Sequence, residues 1–188
     1  MYAEHDKRRG NWVNFNVEIQ DMKTWRDWKN SDNPSYAPQI IYEDLSGDGK
    51  KDVIIILTHG HGSGFLEQEA HVFINEYWWG ERLIEDPLII GMKHIQSRIY
   101  GPKGKEIAEI TVRGKTSRVS VGKFINLYQD VGFGRQIWYE VKNNKLYAFM
   151  DASASPAASI GSFEIEYEYK QKIFQMKSIE FKTTLENN

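Results

Sequence analysis

Bulky apolar side chains and glutamates alternate one by one along the segment from Phe163 to Tyr169. Because successive side chains of a β-strand point to opposite faces, this period of two predicts a strand with one buried face and one solvated face. The segment from Trp12 to Ile19 has the same period, with apolar residues set against asparagines and a glutamate. These two patterns predict a fold that is built mainly from strands.

A pair of asparagines, Asn143-Asn144, separates two further strand-like segments in the second half of the chain. Asparagine tolerates a positive φ, so we predict a β-hairpin with a two-residue turn at this point. The residues that face each other across the predicted hairpin are Val141 with Leu146, Tyr139 with Ala148, and Trp138 with Phe149 on the opposite side.

The remaining elements are predicted from shorter patterns. The run from Val53 to Leu57 is apolar on both faces, as expected of an interior strand. A short helix is predicted after Asp21, because Met22, Trp25 and Trp28 fall three residues apart. The other predicted elements are strands at 40–43, 70–74 and 106–113, a short helix within 86–98, a small-residue loop at 151–159, and a flexible glycine-containing connection at 60–64.

We therefore predict a mainly β fold, an antiparallel sandwich or a strongly curled sheet with one or two short helices. With 188 residues the chain suits a single domain that spans 1–188. Residues 1–11 are too polar to form the hydrophobic region of a signal peptide, and we expect a disordered or loosely attached N-terminal segment there.

The composition excludes several classes of function. The 24 basic and 26 acidic residues leave a formal net charge of -2, so no bulk field attracts nucleic acid, and we expect no nucleic-acid partner. Cysteine is absent, which excludes disulfides and thiol catalysis. No apolar run approaches the length of a membrane span, so we expect no transmembrane segment.

The segment from Asp44 to Asp52 has the pattern of a loop that binds a hard cation. Side-chain oxygens from Asp44, Ser46, Asp48 and Asp52 occupy relative positions 1, 3, 5 and 9, and Lys50 at position 7 offers its backbone carbonyl. The glycine at position 6 permits the sharp turn that such a loop needs. Ca²⁺ is the simplest ion for this ligand set, because it takes six to eight oxygens in irregular geometry.

The loop is not a complete EF-hand, because position 12 is Ile55 rather than a bidentate glutamate. A site without that carboxylate belongs at the weak end of the calcium range, with a Kd of about 10⁻⁴ to 10⁻³ M as in extracellular modules. Such a site would be empty in cytosol. We therefore expect an extracellular or cell-surface protein whose export signal has been removed, and a structural role for the ion.

At these residues the chain resembles the calcium loops of FG-GAP and VCBS repeats, in which Asp-x-Asp/Asn-x-Asp-Gly-x-x-Asp precedes a hydrophobic strand. The resemblance implies that Asp44, Ser46, Asp48 and Asp52 are side-chain ligands, with Ser46 departing from the usual Asp or Asn. The longer stretch that continues through Gly64 to Val72 is also similar to uncharacterised secreted proteins of spore-forming bacteria. Only one copy of the loop is present, so the resemblance implies the local strand, loop, strand geometry and not a propeller.

Zinc is the alternative metal. The segment Thr58-His59-Gly60-His61 resembles the start of the metallo-β-lactamase signature Thr-His-x-His-x-Asp-His, although Ser63 and Gly64 replace its last two ligands. The resemblance thus carries over only His59 and His61, as ligands of a zinc-dependent hydrolase. A separate zinc site built from His59, His61 and His71 with Glu67 or Glu69 is also conceivable, because imidazoles and a carboxylate suit Zn²⁺.

Adjacent indoles at Trp78-Trp79, next to Tyr77, offer a non-metal function. Consecutive side chains of a strand point to opposite faces, so one of the two indoles is expected to be exposed and the other to pack in the core. An exposed tryptophan beside polar groups can bind a sugar ring or a partner protein. The predicted partner is therefore an unknown protein or a cell-wall glycan.

Overall fold

The computed structural model describes residues 1–185, which form three β-sheets, one α-helix and a single turn of 3-10 helix. The strands are β1 (Tyr2–Asp6), β2 (Asn11–Ile19), β3 (Met22–Ser31), β4 (Gln39–Glu43), β5 (Asp52–Gly62), β6 (Phe65–Asn75), β7 (Trp79–Arg82), β8 (Ile95–Tyr100), β9 (Ile107–Val112), β10 (Lys115–Ser120), β11 (Gly132–Lys142), β12 (Lys145–Ser155), β13 (Ala158–Lys170) and β14 (Ile173–Thr183). The helix α1 covers Pro87–His94, and the 3-10 turn covers Pro34–Tyr36.

The largest sheet has eight strands and curls into a half-barrel. Its strand order is β14-β13-β12-β11-β6-β5-β4, and β7 pairs with β6 beside this path. Two three-stranded sheets, β1-β2-β3 and β10-β9-β8, complete the molecule. The predicted mainly β fold with a strongly curled sheet is confirmed.

One pairing in the large sheet is parallel, in contrast to its antiparallel neighbours. β11 runs parallel to β6 and pairs with it only through Gln136 with Leu66 and Ile137 with Glu67. β7 pairs with the same edge of β6 further along, from Val72 to Asn75. The edge of β6 between these two contacts, residues 68–71, therefore faces a gap in the sheet.

β5 is an interior strand of the large sheet, between β6 and β4, and both of its faces are buried, as its apolar sequence predicted. Ile54 and Ile56 point into the main core, which is shared with β11 to β13, the helix and the β8–β10 sheet. Ile55 and Leu57 point the other way, into a smaller core formed with the β1–β3 sheet. The residues of this smaller core are Phe15, Val17, Trp28, Ile55, Leu57 and Phe73. The strand therefore joins the two layers.

The hairpin predicted around Asn143-Asn144 is confirmed. Both asparagines have positive φ, 51° and 58°, as the two-residue turn requires. The register is the predicted one, with Val141 opposite Leu146, Tyr139 opposite Ala148 and Trp138 opposite Phe149. The rings of the last pair stack at 5.1 Å on the outer face of the sheet.

The helix predicted from the spacing of Met22, Trp25 and Trp28 is wrong, since these residues lie in strand β3. β3 pairs with β2 along most of its length as the second strand of a hairpin, and this pairing overrides the helical spacing. In a strand, residues three apart point to opposite faces. Trp28 is accordingly buried, whereas Trp25 is 55% exposed. The second predicted helix exists as α1, and Gly91 lies inside it, against Phe133.

Two segments predicted as loops are strands. The small residues at 151–159 end β12 and begin β13, and Ala152, Ala154 and Ala158 are buried between closely packed elements. The glycines at 60–64 do not form a flexible connection, because β5 continues to Gly62 and a two-residue turn leads directly into β6. His59 and His61 therefore lie on a strand.

The first eleven residues, for which the sequence predicts loose attachment, contain β1, which pairs antiparallel with β2. No helix within residues 1–185 is both long enough and apolar enough to cross a membrane.

Candidate functional site

The predicted cation loop joins the antiparallel strands β4 and β5, and it closes around the carboxylate of Asp44. Oδ1 of Asp44 accepts a hydrogen bond from the backbone N–H of Gly47 at 2.7 Å, and Oδ2 accepts one from Gly49 at 2.9 Å. Both glycines have left-handed φ, 77° and 84°, which L side chains rarely adopt. The sharp turn predicted at Gly49 is thus present.

The other predicted ligands lie around this turn at different depths. The Oγ of Ser46 is 3.4 Å from Oδ1 of Asp44, so positions 1 and 3 of the loop are in contact. Asp48 lies at the exposed tip, where Oδ1 accepts from the N–H of Lys50 at 2.9 Å. The ammonium of Lys50 lies 4.0 Å from the Asp48 carboxylate.

Asp52 is fully buried behind the loop and braces it. Its Oδ2 accepts hydrogen bonds from the N–H groups of Leu45 at 2.9 Å and Ser46 at 3.0 Å, and its Oδ1 accepts one from Asn75 at 2.9 Å. The carboxylate therefore ties the start of the loop to the end of β6. Within residues 1–185, no three histidine or acidic side chains form a preformed metal site.

A second polar centre borders the gap in the large sheet. A cavity of about 440 Å³ opens beside the unpaired edge of β6 and is lined by β7, the start of α1 and β11. Its acidic residues are Glu67, Glu69, Glu81 and Asp86. Its basic and imidazole residues are His59, His71 and Arg82. Tyr139 of β11 and Leu88 of α1 also line it. A volume of this size suits a small ligand.

His71 is the most deeply buried polar residue of this cavity, at 5% exposure. Its Nδ1 lies 2.9 Å from Oε1 of Glu81, whose other oxygen accepts a hydrogen bond from Nε of Arg26 at 2.8 Å. The imidazole stacks on the indole of Trp28, with ring centroids 3.7 Å apart. Three side chains from β3 and β7 therefore fix the orientation of one imidazole.

Glu69 lies between two imidazoles. Its Oε2 is 2.9 Å from Nε2 of His59 and 3.7 Å from Nε2 of His71. Neither contact has the geometry of a hydrogen bond, and both Nε2 atoms are buried without a hydrogen-bond partner among the described residues. Glu69 and His71 are two apart on β6 and so point to the same face.

The pKa values of the two carboxyl groups beside the imidazoles, Glu69 and Glu81, are lowered. His59 is the main influence on Glu69 and lowers its pKa, although partial burial works in the opposite direction. Burial would raise the pKa of Glu81, but the hydrogen bonds with His71 and Arg26, together with their charges, outweigh it and leave the pKa lowered. Burial also raises the pKa of Tyr139, with the charges of Asp86 and Glu69 adding to the effect, so its phenol stays protonated.

The predicted zinc histidines do not share one environment. His61 lies apart from the Glu69 cluster, with its Nε2 2.9 Å from Oγ of Ser31 and its ring stacked on Tyr36. Of the residues weighed for zinc, the structure brings together His59, Glu69 and His71. Glu81, Arg26 and Trp28 support the cluster from other strands, and no local pattern of the sequence marks them as part of a site.

The adjacent indoles of Trp78 and Trp79 differ in exposure, as expected. Trp78 is 77% exposed and Tyr77 is 89% exposed, and their rings meet edge to face at 5.1 Å in the turn between β6 and β7. Trp79 packs against the smaller core, and its Nε1–H donates to Oε1 of Gln20 at 3.1 Å.

No protein-family model matches this chain, and comparisons with curated proteins and with solved structures find no match. The case for a function therefore depends on the geometry of these sites.

Proposed function

We propose that this protein is an extracellular calcium-binding module with a structural or interaction role and no catalytic activity. The observation that carries the proposal is the fold of the Asp44 to Asp52 loop, which closes on its position-1 carboxylate through two left-handed glycines. The residues proposed to supply oxygen ligands therefore lie on one tight turn and its two ends.

Calcium would stabilise the loop by neutralising carboxylates that otherwise repel one another. Asp44 makes no ion pair within the described chain, and the ammonium of Lys50 lies 4.0 Å from the Asp48 carboxylate. An ion that binds only the folded state adds RT ln(1 + [L]/Kd) to the free energy of unfolding, about 1.4 kcal/mol at ten times Kd. For a domain of this size that corresponds to a rise in Tm of about 3–6 °C.

The test is thermal unfolding of metal-free protein with Ca²⁺ added up to about 10 mM, which is ten times the upper Kd expected for such loops. We expect the Tm to rise with calcium and to rise much less with Mg²⁺, which demands a tighter octahedron. Asp48→Asn removes a carboxylate at the exposed tip and should abolish the rise without changing the Tm in EDTA. An unchanged Tm in calcium, or an equal rise in Asp48→Asn, would refute the proposal.

A second candidate function is supported by the exposed Tyr77 and Trp78 rings. A protruding pair of aromatic rings on a turn suits stacking against sugar rings, so a cell-wall polysaccharide is the partner we infer for it. Trp78→Ala should abolish retention on insoluble peptidoglycan while leaving the Tm unchanged. Trp79→Ala is the matched control, because that indole packs in the core and its loss should lower the Tm. Equal retention of wild type and Trp78→Ala would exclude this function.

A further inference from the structure

The cavity beside β6 contains two buried side-chain nitrogens that have no hydrogen-bond partner among residues 1–185, Nε2 of His59 and Nε2 of His71. Buried polar atoms of folded proteins are nearly always bonded to protein, to ordered water or to an ion, so each exception calls for a physical explanation. Both atoms flank the same oxygen, Oε2 of Glu69. The explanation should therefore involve the three side chains together.

The two ring nitrogens of His71 face two different carboxylates. A hydrogen bond with Oε1 of Glu81, at 2.9 Å, occupies Nδ1. Nε2 lies 3.7 Å from Oε2 of Glu69 and has no hydrogen-bond partner among the described residues. A divalent cation bound to this Nε2 and to the Glu69 carboxylate would satisfy both groups at once.

The separations suit a metal of the zinc class. With Zn–N at about 2.0–2.1 Å and Zn–O at about 2.0–2.2 Å, two ligand atoms of a tetrahedral site lie about 3.3–3.5 Å apart. The distances from Oε2 of Glu69 to the two Nε2 atoms, 2.9 and 3.7 Å, lie on either side of this value. The ligands are not preformed, and a rotation of the Glu69 side chain, which is 50% exposed, is the adjustment that the site needs.

The surroundings of His71 are those of a metal ligand. In many metal sites, the ring nitrogen of a histidine ligand that does not bind the metal hydrogen-bonds to a carboxylate, which orients the ring and raises the basicity of the metal-binding nitrogen. Glu81 is in that position beside Nδ1 of His71. Arg26 holds Glu81 in turn at 2.8 Å, and Trp28 holds the imidazole plane. Because β5 continues to Gly62, His59 also lies on a strand and not on a mobile loop.

We propose that Nε2 of His59, Nε2 of His71 and a carboxylate oxygen of Glu69 bind one divalent metal ion of the zinc class. All three residues line the cavity of about 440 Å³, so a further coordination position would be open to water or a small anionic ligand. This site is separate from the Asp44 to Asp52 loop in both its residues and its ligand chemistry, so it does not depend on the proposed calcium function.

The test is titration of metal-free protein with Zn²⁺ by calorimetry and with Co²⁺ by absorption, in saturating calcium. We expect one equivalent of zinc and visible Co²⁺ bands of a four- or five-coordinate site. Glu69→Gln and His59→Gln change partly exposed side chains and should abolish both signals. Glu81→Gln leaves the ligands in place and should weaken zinc binding by about 10–100-fold through the loss of its hold on His71.

His61→Gln is the matched control, because His61 is two residues from His59 on the same strand but hydrogen-bonds to Ser31 instead. It should bind zinc as the wild type does, and so should Asp48→Asn in the calcium loop. The proposal fails if the wild type takes up no zinc, if Glu69→Gln and His59→Gln bind it unchanged, or if His61→Gln loses it equally. Circular dichroism of each variant shows whether a lost signal reflects the metal site or the fold.

Discussion

Replacing Asp52 by asparagine tests whether the buried carboxylate is the brace of the loop. Asp52 accepts three backbone hydrogen bonds, from Leu45, Ser46 and Asn75, and none of its surface is exposed. An asparagine has the same shape, but only one of its two terminal atoms can accept. If its oxygen faces Leu45 and Ser46, its amide group faces the N–H of Asn75, and that donor is left without a partner.

The size of the effect follows from these contacts. A hydrogen bond to a charged group contributes about 1.5–3 kcal/mol, and a bond between neutral groups about 0.5–1.5 kcal/mol. Asp52→Asn loses one charge-assisted bond and weakens two others, while removing the cost of burying a charge. We therefore expect the free energy of unfolding to fall by about 2–4 kcal/mol.

The measurement is urea unfolding in EDTA, so that no bound ion contributes to either protein. Asp48→Asn is the control within the same loop, since its carboxylate is partly exposed and accepts only from Lys50, and such a change should cost about 0.5 kcal/mol or less. A loss below about 1 kcal/mol in Asp52→Asn, or an equal loss in both variants, would show that the carboxylate does not brace the loop.

Three further predictions concern other parts of the fold. Gly161→Ala should lower the free energy of unfolding, measured in urea, by about 2–4 kcal/mol, because φ is +153° and a Cβ there would overlap the backbone carbonyl of Lys182. Gly62→Ala is the control and should change this free energy little, because the space around Gly62 is open. The ionised Glu81 should stabilise the fold fully above its ordinary pKa of 4.5, and this stabilisation should be lost as the pH falls through the lowered pKa of the folded state. Glu81→Gln should therefore make the free energy of unfolding less dependent on pH in the acid range. An equally steep dependence in the variant would contradict a lowered pKa for Glu81. A double-mutant cycle with Trp138→Ala and Phe149→Ala should give a coupling of about 0.5–1.5 kcal/mol from their stacked rings, and additive losses would show that the stacking contributes nothing.

Local patterns of the sequence were sufficient to predict the strands that have one buried face and one solvated face. The alternation from Phe163 to Tyr169 and the Asn143-Asn144 turn each reflect a short-range cause, either side-chain direction or tolerance of positive φ. The spacing of Met22, Trp25 and Trp28 failed because β3 gains more from pairing with β2 than from a helical apolar face. The prediction of a loop at 151–159 failed because the small side chains of alanine and serine also suit close packing in a sheet.

The polar cluster at the cavity was only half visible in the sequence. His59, Glu69 and His71 could be named as metal-ligand types, but the choice of Glu69 over Glu67 and the separation of His61 depend on the register of β5 against β6. A bulge between Thr58 and Gly60 shifts that register beside His59. Glu81, Arg26 and Trp28 come from strands whose positions are set by tertiary packing, and no local rule places them there.

The parallel contact between β6 and β11 has a mechanical consequence for the half-barrel. The backbone ladder between these two strands consists of two residue pairs, whereas the strands on either side are joined by long antiparallel ladders. Side chains supply further connections across the seam: Gln68 accepts from the N–H of Tyr139, and Arg135 donates to the carbonyl of Gly64. Tyr169 also hydrogen-bonds with Arg82 and Glu76. The two halves of the sheet are therefore held together at this seam by side chains more than by a backbone ladder.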